Sequence, residues 1–227
     1  MVRLLILLAL LSAPPAAVAQ EYNIPGFGEG NAVSLSQEYF LGRAWLMSFR
    51  RQAPILEDSI IQDYVETLVY RLVETSQLRE RRLEILLVEN KAINAFAVPG
   101  GIVGIHTGLM LKAETEAQFT SVLTHELAHL SQRHFSRGIE ARKKSSAASM
   151  AGLLGGLILI AAGAPDAGMG AVMGGQAAAM DSQLRYSRLH EQEADRVGMK
   201  NQAAAGLDPG GAAGMFTVMQ RDSRNYG

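Results

Sequence analysis

Five histidines occur in the 227 residues, and two of them stand four apart around a glutamate, in His125-Glu126-Leu127-Ala128-His129. Residues i and i+4 of a helix share one face, so both imidazoles can bind a single zinc ion from the same side. Glu126 lies about 100° around the helix from His125. Its carboxylate then reaches the open coordination position, takes a proton from the water held there and passes it to a leaving amine. That is the chemistry of metal-assisted peptide hydrolysis with Glu126 as general base. A chain of this composition carries H-E-x-x-H by chance about 0.007 times, which makes two unrelated helix histidines a poor account of it.

A catalytic zinc takes three protein ligands and keeps one position open. The chain has no cysteine, so the third ligand must be His, Asp or Glu. The extended motif with Gly three and His six residues beyond the second His fails, because those positions are Gln132 and Phe135. His134 is one place off that register and reads as a surface residue. The other donor-rich segment is His190-Glu191-Gln192-Glu193-Ala194-Asp195. Glu191 and Asp195 share a helical face. Glu191 as third ligand and Asp195 as acceptor of the far N–H of a zinc-bound His make a consistent pair. Glu193, about 200° around from Glu191, and His190 compete for the ligand position. One zinc per chain follows.

These groups need elements to hold them. Helical spacing is expected over Ser34 to Arg51, with Ser34 as N-cap, and over Ile55 to Thr75. Arg82–Glu89, Ile93–Val98 and Ile102–His106 read as strands, the last two joined by a Pro99-Gly100-Gly101 turn. Helical period returns from Glu114 to Phe135, with Phe119, Val122, Leu123, Leu127 and Leu130 on one stripe. A further helix is expected from Gln183 to Ala205, ended by Gly206, and Asp208-Pro209 opens the last one. Helices, then a small antiparallel or mixed sheet beside the H-E-x-x-H helix, then helices, make an α+β domain. The hairpin before that helix is the candidate edge for an extended peptide, with Asn94, Ala95, Phe96 and Ala97 lining the cleft. The competing reading makes these ordinary core strands.

Composition narrows the class. The formal net charge is −1, far from the basic balance of a protein that neutralises phosphates, so no nucleic-acid partner is expected. Residues 1–19 read as a cleaved signal peptide: Arg3, an apolar run from Leu4 to Leu11, and Ala17-Val18-Ala19 before the cut. Residues 20–227 then form one metallopeptidase domain outside the cytoplasm, in a periplasm. Ser145 to Ala164 carries no charge and is followed by a second small-residue tract, Ala167 to Met180. Over 145–180 a buried helical hairpin or lid competes with contact at a membrane surface and with a transmembrane hairpin.

HELAH followed by EQEAD and preceded by NAFAVPGG resembles the HtpX/CAAX-prenyl-protease family of zinc endopeptidases, and within it the BepA-like periplasmic branch. The resemblance covers about Gln37 to Gln220. It implies a zincin-type fold, with His125, His129 and Glu191 as zinc ligands, Glu126 as base and Asp195 behind the ligands. It also implies protein or peptide substrates among misfolded or unassembled envelope proteins, and a link to the outer-membrane assembly machinery. In that branch helical TPR repeats follow, together with a His-Pro segment whose His shields the zinc. The sequence stops at Gly227 with no histidine after His190, so the TPR module reads as absent or truncated. A chaperone-like client binder would use the same cleft with little proteolysis, and a structural zinc protein would have no need of Glu126.

Overall fold

The computed structural model describes residues 33–141 and 165–225. The expected signal peptide and the uncharged tract Ser145 to Ala164 lie outside the described residues. Helix α1 (Leu35–Phe49) starts at Ser34 in a capping box, in which Ser34 Oγ accepts from the Gln37 amide and Gln37 Oε1 accepts from the Ser34 amide. Helix α2 (Ser59–Thr75) starts later than its apolar period suggested. Asp58 caps it through the Ile60 and Ile61 amides. Ile55 is drawn instead into a bridge with Val88 beside the sheet.

Three strands follow: β1 (Glu84–Val88), β2 (Ala95–Val98) and β3 (Ile102–His106). Their order is β1-β3-β2, with β1 parallel and β2 antiparallel to β3, so the sheet is mixed. Gly100 and Gly101 turn the β2–β3 hairpin at φ 85° and 79°, a region that costs residues with a Cβ. The apolar run Ile85-Leu86-Leu87-Val88 is buried because the sheet is covered on both faces. Ile85, Leu87, Val103 and Ile105 join the main core with Val65, Leu72, Phe119 and Leu123. Leu86 and Ile102 face the other way, onto Leu46, Trp45 and Phe49 of α1.

A short helix α3 (Thr107–Lys112), absent from the sequence expectation, leads into α4 (Glu116–Ser131), which Thr115 caps. The expected continuation of α4 to Phe135 is corrected. The chain leaves the helix at Gln132, turns at Arg133 with φ 54°, and is helical again over 134–141. Helix α5 (Pro165–Ala204) has 40 residues and takes in both the Ala167 to Met180 tract and the helix expected from Gln183. At 1.5 Å per residue it is about 60 Å long. Gly206 ends it at φ 75°. Helix α6 (Gly211–Asn225) follows Asp208, which accepts from the Gly210 amide one turn ahead of the helix. Among the described residues no helix is long and apolar enough to cross a membrane.

Candidate metal centre

Helix α4 is fixed in rotation by Phe119, Leu123 and Leu127, which enter the core. The face left over carries His125, Glu126 and His129. Helix α5 docks beside it through small residues at helical spacing: Ala194 is fully buried, and Gly198 lies against the His125 backbone. Gln202, also fully buried, locks the pair. Its Nε2 donates to the carbonyls of Ala117 at the start of α4 and of Asp208 before α6, each at 2.8 Å. This packing brings the 190–195 turn over the two histidines.

Three donor atoms converge there. His125 Nε2 and His129 Nε2 are 3.0 Å apart, and Glu191 Oε2 is 3.4 Å from the first and 3.7 Å from the second. Tetrahedral ligands at about 2.0–2.1 Å from zinc stand about 3.3 Å from one another, so the spacing fits one such ion. The tautomers fit as well. Asp195 Oδ1 is 2.9 Å from His125 Nδ1. A carboxylate only accepts, so the proton sits on Nδ1 and Nε2 is a bare lone pair. His129 Nδ1 faces the ring of His134 rather than a carboxylate. Two ring nitrogens and a carboxylate oxygen facing one another at this range are a cation site by their chemistry.

Behind His129 stands His134, with the two Nδ1 atoms 2.9 Å apart. His134 Nε2 meets Glu193 Oε2 at 3.1 Å, and Arg137 Nη1 donates to the same oxygen at 2.7 Å. The ring of His190 stacks on His134 at 4.2 Å and 8°. His134 is 5% exposed, which corrects its reading as a surface residue. The turn at Arg133 carries it back under α4. Burial, against the pull of Glu193, holds its imidazole neutral with a pKa near 4. Glu193 is lowered by its hydrogen bond from Arg137. Glu193 and His190, which competed with Glu191 for the metal, both pack around His134, and among the described residues the group of donors able to hold a metal is His125, His129 and Glu191.

Glu126 points from α4 toward β2. Burial first, then the charge of Glu191, pushes its pKa up to about 7, while a hydrogen bond from the Ala97 amide opposes the rise. The direction of that amide follows from the register. His106 donates to Asn94 across the hairpin, so Asn94, Phe96 and Val98 bond to β3 while Ala95 and Ala97 turn their backbone groups outward. Of the four residues expected to line the cleft, Asn94 and Ala95 border a cavity of about 390 Å³ shared with His125, Glu126 and Glu191. Ala97 borders a second of about 220 Å³ on the far side of Glu126. Phe96 does not take part. Its ring lies under the sheet, edge-on to Trp45 and Phe49. The larger cavity is closed by Val122, Met215, Phe216 and Met219. The last three come from α6, the helix expected after Asp208-Pro209, although nothing in the sequence placed it beside the donors.

Known proteins share this arrangement of sequence. The chain is 35% identical over 224 residues to the putative beta-barrel assembly-enhancing protease of Vibrio cholerae, covering 96% of this chain and 46% of that one. It is 34% identical over 197 residues to the beta-barrel assembly-enhancing protease of Escherichia coli, covering 86% and 40%. The mitochondrial metalloendopeptidase OMA1 of Arabidopsis thaliana is more distant, at 28% over 163 residues, 72% of this chain and 31% of that protein. The chain thus spans less than half the length of these relatives. The model of peptidase family M48 matches residues 59–223, from the start of α2 almost to the end of α6 and across both donor helices. On that match the chain belongs to peptidase family M48, a family of metallopeptidases.

Proposed function

We propose that the chain is a zinc-dependent endopeptidase domain acting on misfolded or unassembled proteins of the bacterial envelope, in the periplasm. The observation that carries the reading is the convergence of His125 Nε2, His129 Nε2 and Glu191 Oε2 at the spacing of one tetrahedral ion. The envelope setting is supported by the signal-like start of the sequence and by two relatives named for enhancing β-barrel assembly.

His125, His129 and Glu191 would hold the zinc, which when bound supplies Lewis acidity to the scissile carbonyl and the attacking water. The rest is done by the chain. An extended substrate adds to the free edge of β2, pairing with the outward backbone groups of Ala95 and Ala97. An apolar side chain next to the cleaved bond fills the cavity under Val122, Phe216 and Met219. Glu126, which burial makes a stronger base with a pKa of about 7 in the metal-free chain, takes the proton of the attacking water as the carboxylate and delivers it to the leaving nitrogen. Substrate entry displaces its own hold on the Ala97 amide, which frees that donor for the peptide.

The test pairs metal analysis with an assay on a loosely folded protein. One zinc per chain is expected, and Glu126→Gln should keep the zinc while losing about 10²- to 10⁴-fold in cleavage rate. Undiminished cleavage by that variant would sink the proposal. Crosslinking the same variant in cells identifies the substrates.

A further inference from the structure

The two histidines of the centre are backed in different ways. His125 meets a carboxylate directly, at Asp195. His129 meets another imidazole, and a carboxylate only beyond it. We propose that His134 and Glu193 are positioning residues for His129, acting as a two-step tether that sets its tautomer and aims its Nε2 at the metal. This role rests on the reading of His129 as a ligand.

The tether can be followed atom by atom. Glu193 Oε2 accepts, so His134 carries its proton on Nε2, 3.1 Å away. Neutral His134 then offers a lone pair at Nδ1. His129, 2.9 Å from it, must donate from Nδ1 and is left with a bare Nε2. The information in a carboxylate thus passes through one ring to the next. Both links are held in place. Arg137 fixes the Glu193 oxygen at 2.7 Å. His190, one residue before the third ligand, lies flat on His134 at 4.2 Å and fixes the plane of its ring. The turn at Arg133 that delivers His134 is itself anchored, since Arg133 pairs with Glu38 of α1 at 2.9 Å and Glu38 is only 8% exposed. An ion pair to the buried Glu38 and a left-handed non-glycine residue, both spent on placing one histidine, argue against a role in packing alone.

The experiment measures zinc affinity of the full chain by competition with a chromogenic chelator. Metal-free thermal midpoints serve as the check on folding. His134→Phe keeps the ring and its stack on His190 and loses both hydrogen bonds. Its zinc affinity should fall about 10- to 100-fold. His134→Gln, whose carbonyl accepts and whose amide donates, should recover most of the loss. Glu193→Ala leaves His134 in place, and should weaken zinc binding in the same direction even if His134→Phe does not fold. Parent-like affinity in Glu193→Ala or in folded His134→Phe overturns the proposal. An equal loss in His134→Gln and His134→Phe does so too, because it assigns the effect to shape. An unmutated chain that takes up no zinc overturns the metal reading as well, and this control separates the two failures.

Discussion

A methyl group placed on Gly198 would stand 3.0 Å from the backbone nitrogen of His125 and 3.1 Å from its Cα. Helices α4 and α5 are therefore in backbone contact at His125 itself, about two turns past Glu191 along α5, with no room for a side chain between them. Gly198→Ala should push the helices apart and separate Glu191 from the two histidines. Overpacking of this kind costs about 1–3 kcal/mol. We expect a lower thermal midpoint and zinc affinity at least several-fold weaker, read by chelator competition. Parent-like affinity would show that the close approach is not what sets the donor spacing.

Asp195 holds His125 at 2.9 Å. Asp195→Ala removes the acceptor and leaves the tautomer of His125 unset. Zinc affinity should fall about 10- to 100-fold, as for outer partners of metal-bound histidines in general. The lost zinc should return at higher metal concentration, with cleavage partly restored. If saturating zinc restores nothing, Asp195 is needed for something other than aiming His125.

Zinc would tie α4 to α5 across 66 residues of sequence, from His125 to Glu191. Binding to the folded chain alone stabilises it by about 2.7 kcal/mol when free zinc is 100 times its dissociation constant. Chelation should lower the thermal midpoint by several degrees, and zinc should reverse the change. A midpoint unmoved by chelator in a chain that arrives zinc-loaded would contradict the cross-link.

In the metal-free chain Glu126 has its pKa raised from 4.5 to about 7. The folded state therefore binds this proton more tightly than the unfolded state. The stabilisation is complete below about pH 4.5 and is lost as pH rises through about 7. Glu126→Gln cannot ionise and should escape the loss. With chelator present, denaturant midpoints should favour the variant over the parent more at pH 8 than at pH 5. An equal gap at both values would mean that the buried carboxyl is not the source.

Ala97 turns its amide away from β3 and toward Glu126. A proline there removes no bond of the hairpin ladder, because edge positions with outward N–H groups tolerate it. Ala97→Pro should leave the fold and the zinc in place and raise KM for a peptide substrate several-fold. An unchanged KM would exclude this amide from substrate binding.

The candidate donors stood out because helical period alone places His125 with His129 and Glu191 with Asp195. Strand β3 and the cap at Ser34 were legible for similar local reasons. What escaped depends on particular turns and on parity. His134 looked exposed because the continuation of α4 was assumed. The left-handed turn falls on Arg133, with no glycine or asparagine to announce it. Its support, Glu38, lies 95 residues earlier. Glu193 is opposite Glu191 on the helix, so spacing marked it as a competitor and gave no sign of a second histidine on its own side. Phe96 was taken for a cleft residue because the face it uses is set by the pairing of Asn94 with His106, which the sequence of a four-residue strand does not reveal. Helix α3 is too short for periodicity to resolve, and the Ala/Gly tract before Gln183 has no stripe to mark it as part of α5.

Helix α5 also has a mechanical side. Among its described side chains none before His190 is buried, and Met169, Met173 and Met180 stand in solvent. Its first 25 residues, roughly 37 Å of helix, therefore carry no buried side chain among those described ahead of the seated turns. Glu191 occupies the first of those turns, where the rod meets its clamp. A force on the far end is multiplied by the length of the arm and arrives at a carboxylate oxygen that must hold its place to within a few tenths of an ångström. The donor set thus stands at a fulcrum, and whatever takes hold of the arm would act on the spacing of His125, His129 and Glu191.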